Sequence, residues 1–166
     1  MTASTATSLR NIPLTTIDGA STSLAEYAGR VLLIVNVASR CGFAPQYETL
    51  EKLQEKYGPR GLTVLGFPSN QFLQELSTSD SIKEYCAVKW GVTFPMFEKV
   101  RVNGRNAHPL YQQLTLAKDA KGKAGKVAWN FEKFLVTPSG EVHRFRTAVE
   151  PDAPAIIALI ESSLPA

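Results

Sequence analysis

The run Val31-Leu32-Leu33-Ile34-Val35-Asn36-Val37, continuing into Ala38-Ser39-Arg40-Cys41-Gly42, decides how this chain folds. Its first seven residues are apolar except Asn36 and rich in β-branched types, the pattern of a strand buried on both faces. From Gln46 to Tyr57 the period becomes helical, with Tyr47, Leu50, Leu53 and Tyr57 on one face. Gly58-Pro59-Arg60-Gly61 stops that helix, and Leu62 to Phe67 reads as a second buried strand. A β-α-β unit of this kind favours a right-handed crossover and a parallel strand pair.

Working outward, Ile12 to Ile17 followed by Asp18-Gly19 reads as a strand entering a hairpin turn. Ser23 to Tyr27 is a short helix capped by Ser23. Beyond Phe67 a loop runs to Ser77, then a helix capped by Thr78 or Ser79 extends to about Lys89. Val92 to Val100, with Pro95, is expected as a strand begun or interrupted by proline. Pro109 to Leu116 starts as a helix, and Phe131 to Val136 with Val142 to Phe145 forms a hairpin around Pro138-Ser139-Gly140. Pro151 to Leu164 closes the chain as an amphipathic helix. This order predicts an α/β fold with a central mixed β-sheet flanked by helices, which matches a thioredoxin-like arrangement and leaves other α/β folds open.

A chain of 166 residues suits one domain with a core of its own. The net charge of +3 is too small to argue for nucleic acid, and no Lys/Arg run is interleaved with aromatics. The basic stretch Lys118 to Lys126 reads as a solvated loop. No segment is long and apolar enough to span a membrane, and Met1 to Ser8 reads as a loose tail rather than a secretory signal. A cytoplasmic location is therefore expected. His108 and His143 stand far apart with no carboxylate pattern, so no metal site is expected.

The two cysteines, Cys41 and Cys86, are more consistent with chemistry than with a disulfide framework. Cys41 lies where a buried strand hands over to a helix, at the sheet edge where α/β proteins place their sites. The free N–H groups and positive dipole end of that helix stabilise a thiolate. Gly42 lets another molecule approach the sulfur. The alternative is an inert cysteine packed beneath the helix. A dithiol exchanger places a second cysteine three residues on, where this chain has Ala44. The chemistry indicated uses one thiolate at a time.

The stretches Asn36 to Gly42, Gly66-Phe67-Pro68-Ser69-Asn70-Gln71-Phe72 and Trp129-Asn130-Phe131-Glu132-Lys133-Phe134-Leu135-Val136 resemble motifs of the glutathione peroxidase family. Gly91 to Pro95, Asn103-Gly104 and Ala107 to Tyr111 do so too, and the likeness runs in the family's order from about Ile12 to Leu164. The resemblance implies a thioredoxin fold, reduction of hydroperoxides, and no resident cofactor beyond an external thiol reductant, thioredoxin or glutathione. It maps the family's catalytic cysteine, tryptophan and asparagine onto Cys41, Trp129 and Asn130. The family's glutamine follows its Asn-Gln-Phe motif after two residues. Here only Leu73 intervenes, so Gln74 is the best match and Gln71 the fallback.

In such a site the thiolate attacks one peroxide oxygen and becomes a sulfenic acid. The amides of Gln74 and Asn130 and the indole N–H of Trp129 are suitable donors to the sulfur or the leaving oxygen. Without the resemblance, Trp129 reads as a core aromatic, Gln74 as an exposed loop amide and Cys86 as a packing residue. The resemblance makes Cys86 a candidate resolving thiol, one place further from Phe94-Pro95 than in the plant-type pattern. Another cysteine common in the family is Ser69 here. The short connection from Cys86 to Phe94 resembles compact members, which implies a monomer with an open site that accepts organic and lipid hydroperoxides. Competing readings are a redox relay to a partner protein and a non-catalytic adaptor.

Overall fold

The computed structural model describes residues 9–165. The expected loose tail lies outside the described residues. Strands β1 (Leu14–Thr15) and β2 (Ser21–Thr22) make the expected small hairpin. A single 3-10 turn over Leu24–Tyr27 follows, with the Ser23 hydroxyl accepting from the Ala25 N–H.

Strand β3 (Val31–Val37) is buried along its whole length, helix α1 covers Gln46–Tyr57, and strand β4 spans Leu62–Pro68. Strands β3 and β4 pair in parallel from Val31↔Leu62 to Val37↔Pro68. Helix α2 runs over Ser79–Trp90 with Thr78 as its N-cap, and helix α3 over Pro109–Leu114. Strands β5 (Lys133–Val136) and β6 (Val142–Phe145) form the second hairpin, and helix α4 (Pro154–Ser163) follows. The sheet order is β4-β3-β5-β6, with β5 antiparallel to both β3 and β6.

Alternation along β3 divides the core in two. Leu33, Val35 and Val37 pack with Tyr47 and Leu50 of α1, Ile82 and Cys86 of α2, and Ile156 and Ile160 of α4. Leu32 and Ile34 face the other layer, with Leu110 and Leu114 of α3 and the stacked Phe67 and Phe97 rings. Each such fully buried aliphatic side chain stabilises the fold by roughly 1.5–3 kcal/mol. A central mixed sheet between helical layers is the expected thioredoxin-like architecture.

Three expectations are corrected. Val92 to Val100 is not a strand; it touches the sheet through isolated bridges, Thr16↔Phe97 and Gly66↔Met96. It divides its backbone hydrogen bonds between β4 and the Thr15–Ile17 segment, and Pro95 has no N–H to give. Strand β5 begins at Lys133 rather than Phe131, because Phe131 adopts a left-handed φ of 62°. Helix α4 begins at Pro154, in the first-turn position where a missing N–H costs nothing, so Pro151 lies before it.

The basic stretch Lys118 to Lys126 is an exposed loop, as expected. Its stem is tied by Arg144, whose buried guanidinium pairs with Glu132 and donates to the carbonyls of Thr115, Ala117, Gly125 and Lys126. No helix among the described residues is long and apolar enough to cross a membrane.

Candidate active site

Cys41 sits in the turn that leaves the buried end of β3. Its side chain is buried, and Sγ accepts from the Phe43 N–H at 3.4 Å. The Cys41 carbonyl accepts from the Ala44 N–H at 2.9 Å, beginning the turns that lead into α1. Pro45 offers no side-chain cap at that end, and the Gln46, Tyr47 and Glu48 N–H groups donate to the carbonyls of Phe43, Ala44 and Pro45, so what the helix offers the cysteine turn is the positive end of its dipole. Gly42 is exposed, and no atom lies within 4 Å of where a Cβ would stand.

The loop after β4 brings Gln74 to this turn. The Gln74 carbonyl accepts from the Arg40 N–H at 2.8 Å. The Gln74 Oε1 atom accepts from Asn130 Nδ2 at 3.2 Å. Gln71 is committed elsewhere: its Oε1 accepts from the Val102 and Asn103 N–H groups, and its Nε2 donates to the Asn103 carbonyl. The two candidate glutamines are thereby separated into one bonded to Asn130 and one that buttresses a loop. The missing residue of the loop is absorbed by Leu73, which takes a left-handed φ of 61° and leaves its side chain 83% exposed.

Trp129 and Asn130 arrive on the turn before β5. Asn130 is fully buried, and its Oδ1 has no partner among the described residues. The Trp129 ring lies 5.1 Å from that of Phe72 and packs on the same apolar cluster as Cys41. Among the described residues, the Trp129 indole N–H and Gln74 Nε2 have no acceptor, so both donors stand uncommitted.

Cys86 faces inward on α2 with Ile82, one turn away, and belongs to the same cluster as Cys41. Both thiols are free. Burial pushes the Cys86 thiol up to about 11, with the Tyr47 hydroxyl beside it acting in the opposite direction. Cys86 is thus held as a protonated thiol while α2 is intact.

Sequence reasoning assigned nothing to Glu75. Its Oε1 accepts from the Ser39 N–H at 2.9 Å and the Leu76 N–H at 2.8 Å, tying the Gln74 loop to the residues before Cys41. Burial raises its carboxyl above the usual range. Its place directly after Gln74 in a loop otherwise poor in charge was the available signal. No group of three or more metal-binding side chains occurs among the described residues.

Residues 9–115 match the family described as glutathione peroxidase. The chain is 47% identical over 169 residues to the thioredoxin/glutathione peroxidase BtuE of Escherichia coli K12, covering 89% of this chain and 92% of that protein. It is 47% identical over 159 residues to the hydroperoxy fatty acid reductase gpx1 of Synechocystis, covering 92% and 94%. The apo crystal structure of Trgpx superposes with a TM-score of 0.72 at 35% identity, covering 95% of this chain and 98% of that one. With its mixed sheet, its cysteine at the end of β3 and these matches, the chain belongs to the glutathione peroxidase family and is a peroxidase.

Proposed function

We propose that this chain reduces hydrogen peroxide and organic or lipid hydroperoxides at Cys41, with Gln74, Trp129 and Asn130 as its catalytic partners and Cys86 as the resolving thiol. The observation that carries the reading is the Gln74–Asn130 hydrogen bond, formed by a glutamine whose own carbonyl is tied to the residue before Cys41. The Cys41 thiolate attacks the distal peroxide oxygen, the O–O bond breaks, and the alcohol or water leaves after taking a proton. Cys41 becomes a sulfenic acid. Donors on Gln74 and Trp129 stabilise charge as it moves from sulfur to the leaving oxygen.

Cys86 then attacks the Cys41 sulfur, forming a disulfide and releasing water. The intact helix opposes this, since Cys86 is buried and protonated. Helix α2 nevertheless buries only Ile82 and Cys86 fully, with Tyr85 and Trp90 packed half-buried against Tyr47. Such an element opens locally at a fraction of the cost of unfolding the sheet. Opening exposes Cys86 and returns its thiol toward ordinary acidity.

Thioredoxin is the reductant we favour. Glu48, Glu150 and Asp152 line the surface beside Gly42 and Phe43, a setting unfavourable to a small dicarboxylate such as glutathione. The site is complete within one chain, which supports a monomer, and a thioredoxin-reduced enzyme belongs in the cytoplasm. It needs no resident cofactor, only the external thiol. The test is a peroxidase assay of wild type, Cys41→Ser and Cys86→Ser with thioredoxin and with glutathione. Loss of all turnover in Cys41→Ser, and of thioredoxin-linked turnover alone in Cys86→Ser, is expected. Full thioredoxin-linked turnover in Cys86→Ser would remove the resolving role.

A further inference from the structure

Asn36 is a fully buried amide near the end of an otherwise apolar strand, and the proposed chemistry gives it no part. It stands where the β3–β5 ladder ends, one residue past the last pair, Val35↔Lys133. From there it replaces the ladder with bonds of its own. Its Nδ2 donates to the Trp129 carbonyl at 3.1 Å, and its Oδ1 accepts from the Glu132 N–H at 3.1 Å. Its backbone carbonyl accepts from the Phe131 N–H at 2.6 Å. Phe131, between these contacts, is held at a φ of 62°, a conformation that costs a non-glycine residue roughly 1–2 kcal/mol. The Asn130 carbonyl of the same turn accepts from the buried Thr147 hydroxyl at 2.6 Å.

We propose that Asn36, with Thr147, is a positioning residue for peroxide reduction: the two side chains clasp the Trp129–Glu132 turn and set its indole and amide relative to Cys41. The inference rests on the site assignment above. Asn36 lies on β3 and Cys41 follows five residues later in the turn that leaves it, so the anchor of the partners and the nucleophile are joined by a short stretch of chain. A regular strand at 130–132 would end this arrangement, because its residues would continue the sheet. The clasp fixes the departure from it, and the buried polar groups it occupies are costly to leave unpaired.

The test measures the rate constant for Cys41 oxidation by peroxide, followed by tryptophan fluorescence in stopped flow, as a variant-to-wild-type ratio across pH 5–8. Asn36→Asp keeps the acceptor for Glu132 but sets a carboxylate against the Trp129 carbonyl. At pH 8 the ratio is expected to fall roughly 10- to 100-fold. A buried carboxyl protonates readily and then donates, so the ratio is expected to climb back toward one as the pH falls. Thr147→Val is expected to lose roughly 3- to 10-fold, and Thr147→Ser to return within about twofold of wild type.

A ratio near one throughout, or a loss in Asn36→Asp that does not change with pH, overturns the proposal. If Asn36→Asp does not fold, the Thr147 pair decides: equal rates in Thr147→Val and Thr147→Ser overturn it. Asn130→Ala separates the two levels. A wild-type rate in Asn130→Ala removes the site assignment and the clasp together. A slow Asn130→Ala beside normal Asn36 and Thr147 variants removes the clasp alone.

Discussion

Asn130 Nδ2 donates to Gln74 Oε1 at 3.2 Å, joining the turn before β5 to a loop 56 residues earlier in the chain. Gln71, three residues before Gln74, spends its amide on Val102 and Asn103 instead. The two glutamines therefore respond differently to removal. Gln74→Ala is expected to slow Cys41 oxidation by roughly 10²–10³-fold with little loss of stability. Gln71→Ala is expected to keep the rate within a few-fold but to lower stability by about 1–3 kcal/mol, because two backbone N–H groups lose their acceptor. Stopped-flow oxidation and urea unfolding of both variants check the assignment, and the reverse pattern would move the catalytic glutamine to Gln71.

The Thr78 hydroxyl caps α2 by accepting from the Ser81 N–H at 3.1 Å. Removing a threonine cap costs about 1 kcal/mol, which raises the open population of the helix roughly fivefold. Thr78→Ala is thus expected to speed Cys41–Cys86 disulfide formation after peroxide by a similar factor. Cys86 alkylation in the reduced protein should accelerate in parallel. Unchanged rates in both assays would show that helix opening does not limit resolution.

Lys133 is fully buried, with its ammonium on the Thr147 and Val149 carbonyls, and burial lowers it from 10.5 to about 7. Above pH 7 the folded chain holds Lys133 largely neutral, while the unfolded chain keeps it protonated up to about 10.5. The unfolded state then binds more protons, so the penalty for burying this amine is full below pH 7 and is relieved as pH rises. The slope is at most about 1.4 kcal/mol per pH unit. Wild-type stability minus that of Lys133→Met, from urea unfolding, is expected to increase between pH 7 and 10. A difference that stays flat would mean the ammonium keeps its charge in the fold.

Leu73 pays for the shortened loop with a left-handed backbone, and its exposed side chain gains little burial in return. Leu73→Gly removes roughly 1–2 kcal/mol of strain against a chain-entropy cost of roughly 0.5–1 kcal/mol. A net stabilisation of about 0.5–1 kcal/mol is expected in chemical denaturation. A destabilised variant would mean that the side chain makes contacts worth more than the strain.

The β3–α1–β4 unit was readable in the sequence because its signals are local: an unbroken apolar run, a clean helical period, and a Gly-Pro stop. The span of β3, the span of α1 and the parallel pairing followed from them, and β4 runs one residue past Phe67, to Pro68. The Val92–Val100 segment misled because its composition suits a strand, while its hydrogen bonds go to two different partners. The choice between Gln71 and Gln74 was not local either, since it depends on which amide reaches Val102 and which reaches Asn130. Asn36, Thr147 and Glu75 act through contacts 93, 17 and 36 residues away, and of the three only Glu75, the lone charge in its loop, carried a local signal.

Arg144 gathers four carbonyls from the two ends of the Lys118–Lys126 stretch while pairing with Glu132 beneath them. The loop is also tied within itself: the Asp119 carboxylate accepts from the Lys121 and Lys123 N–H groups and pairs with Arg146, which donates to the Lys123 carbonyl, while the lysine side chains face solvent. Extra residues inserted at Ala120 to Ala124 therefore pull on Arg146 and, through it, on Glu132 at the end of the turn that carries Trp129 and Asn130, whereas labels joined to the lysine side chains leave those backbone bonds in place. Conjugation rather than insertion suits this stretch as an attachment point on a working peroxidase.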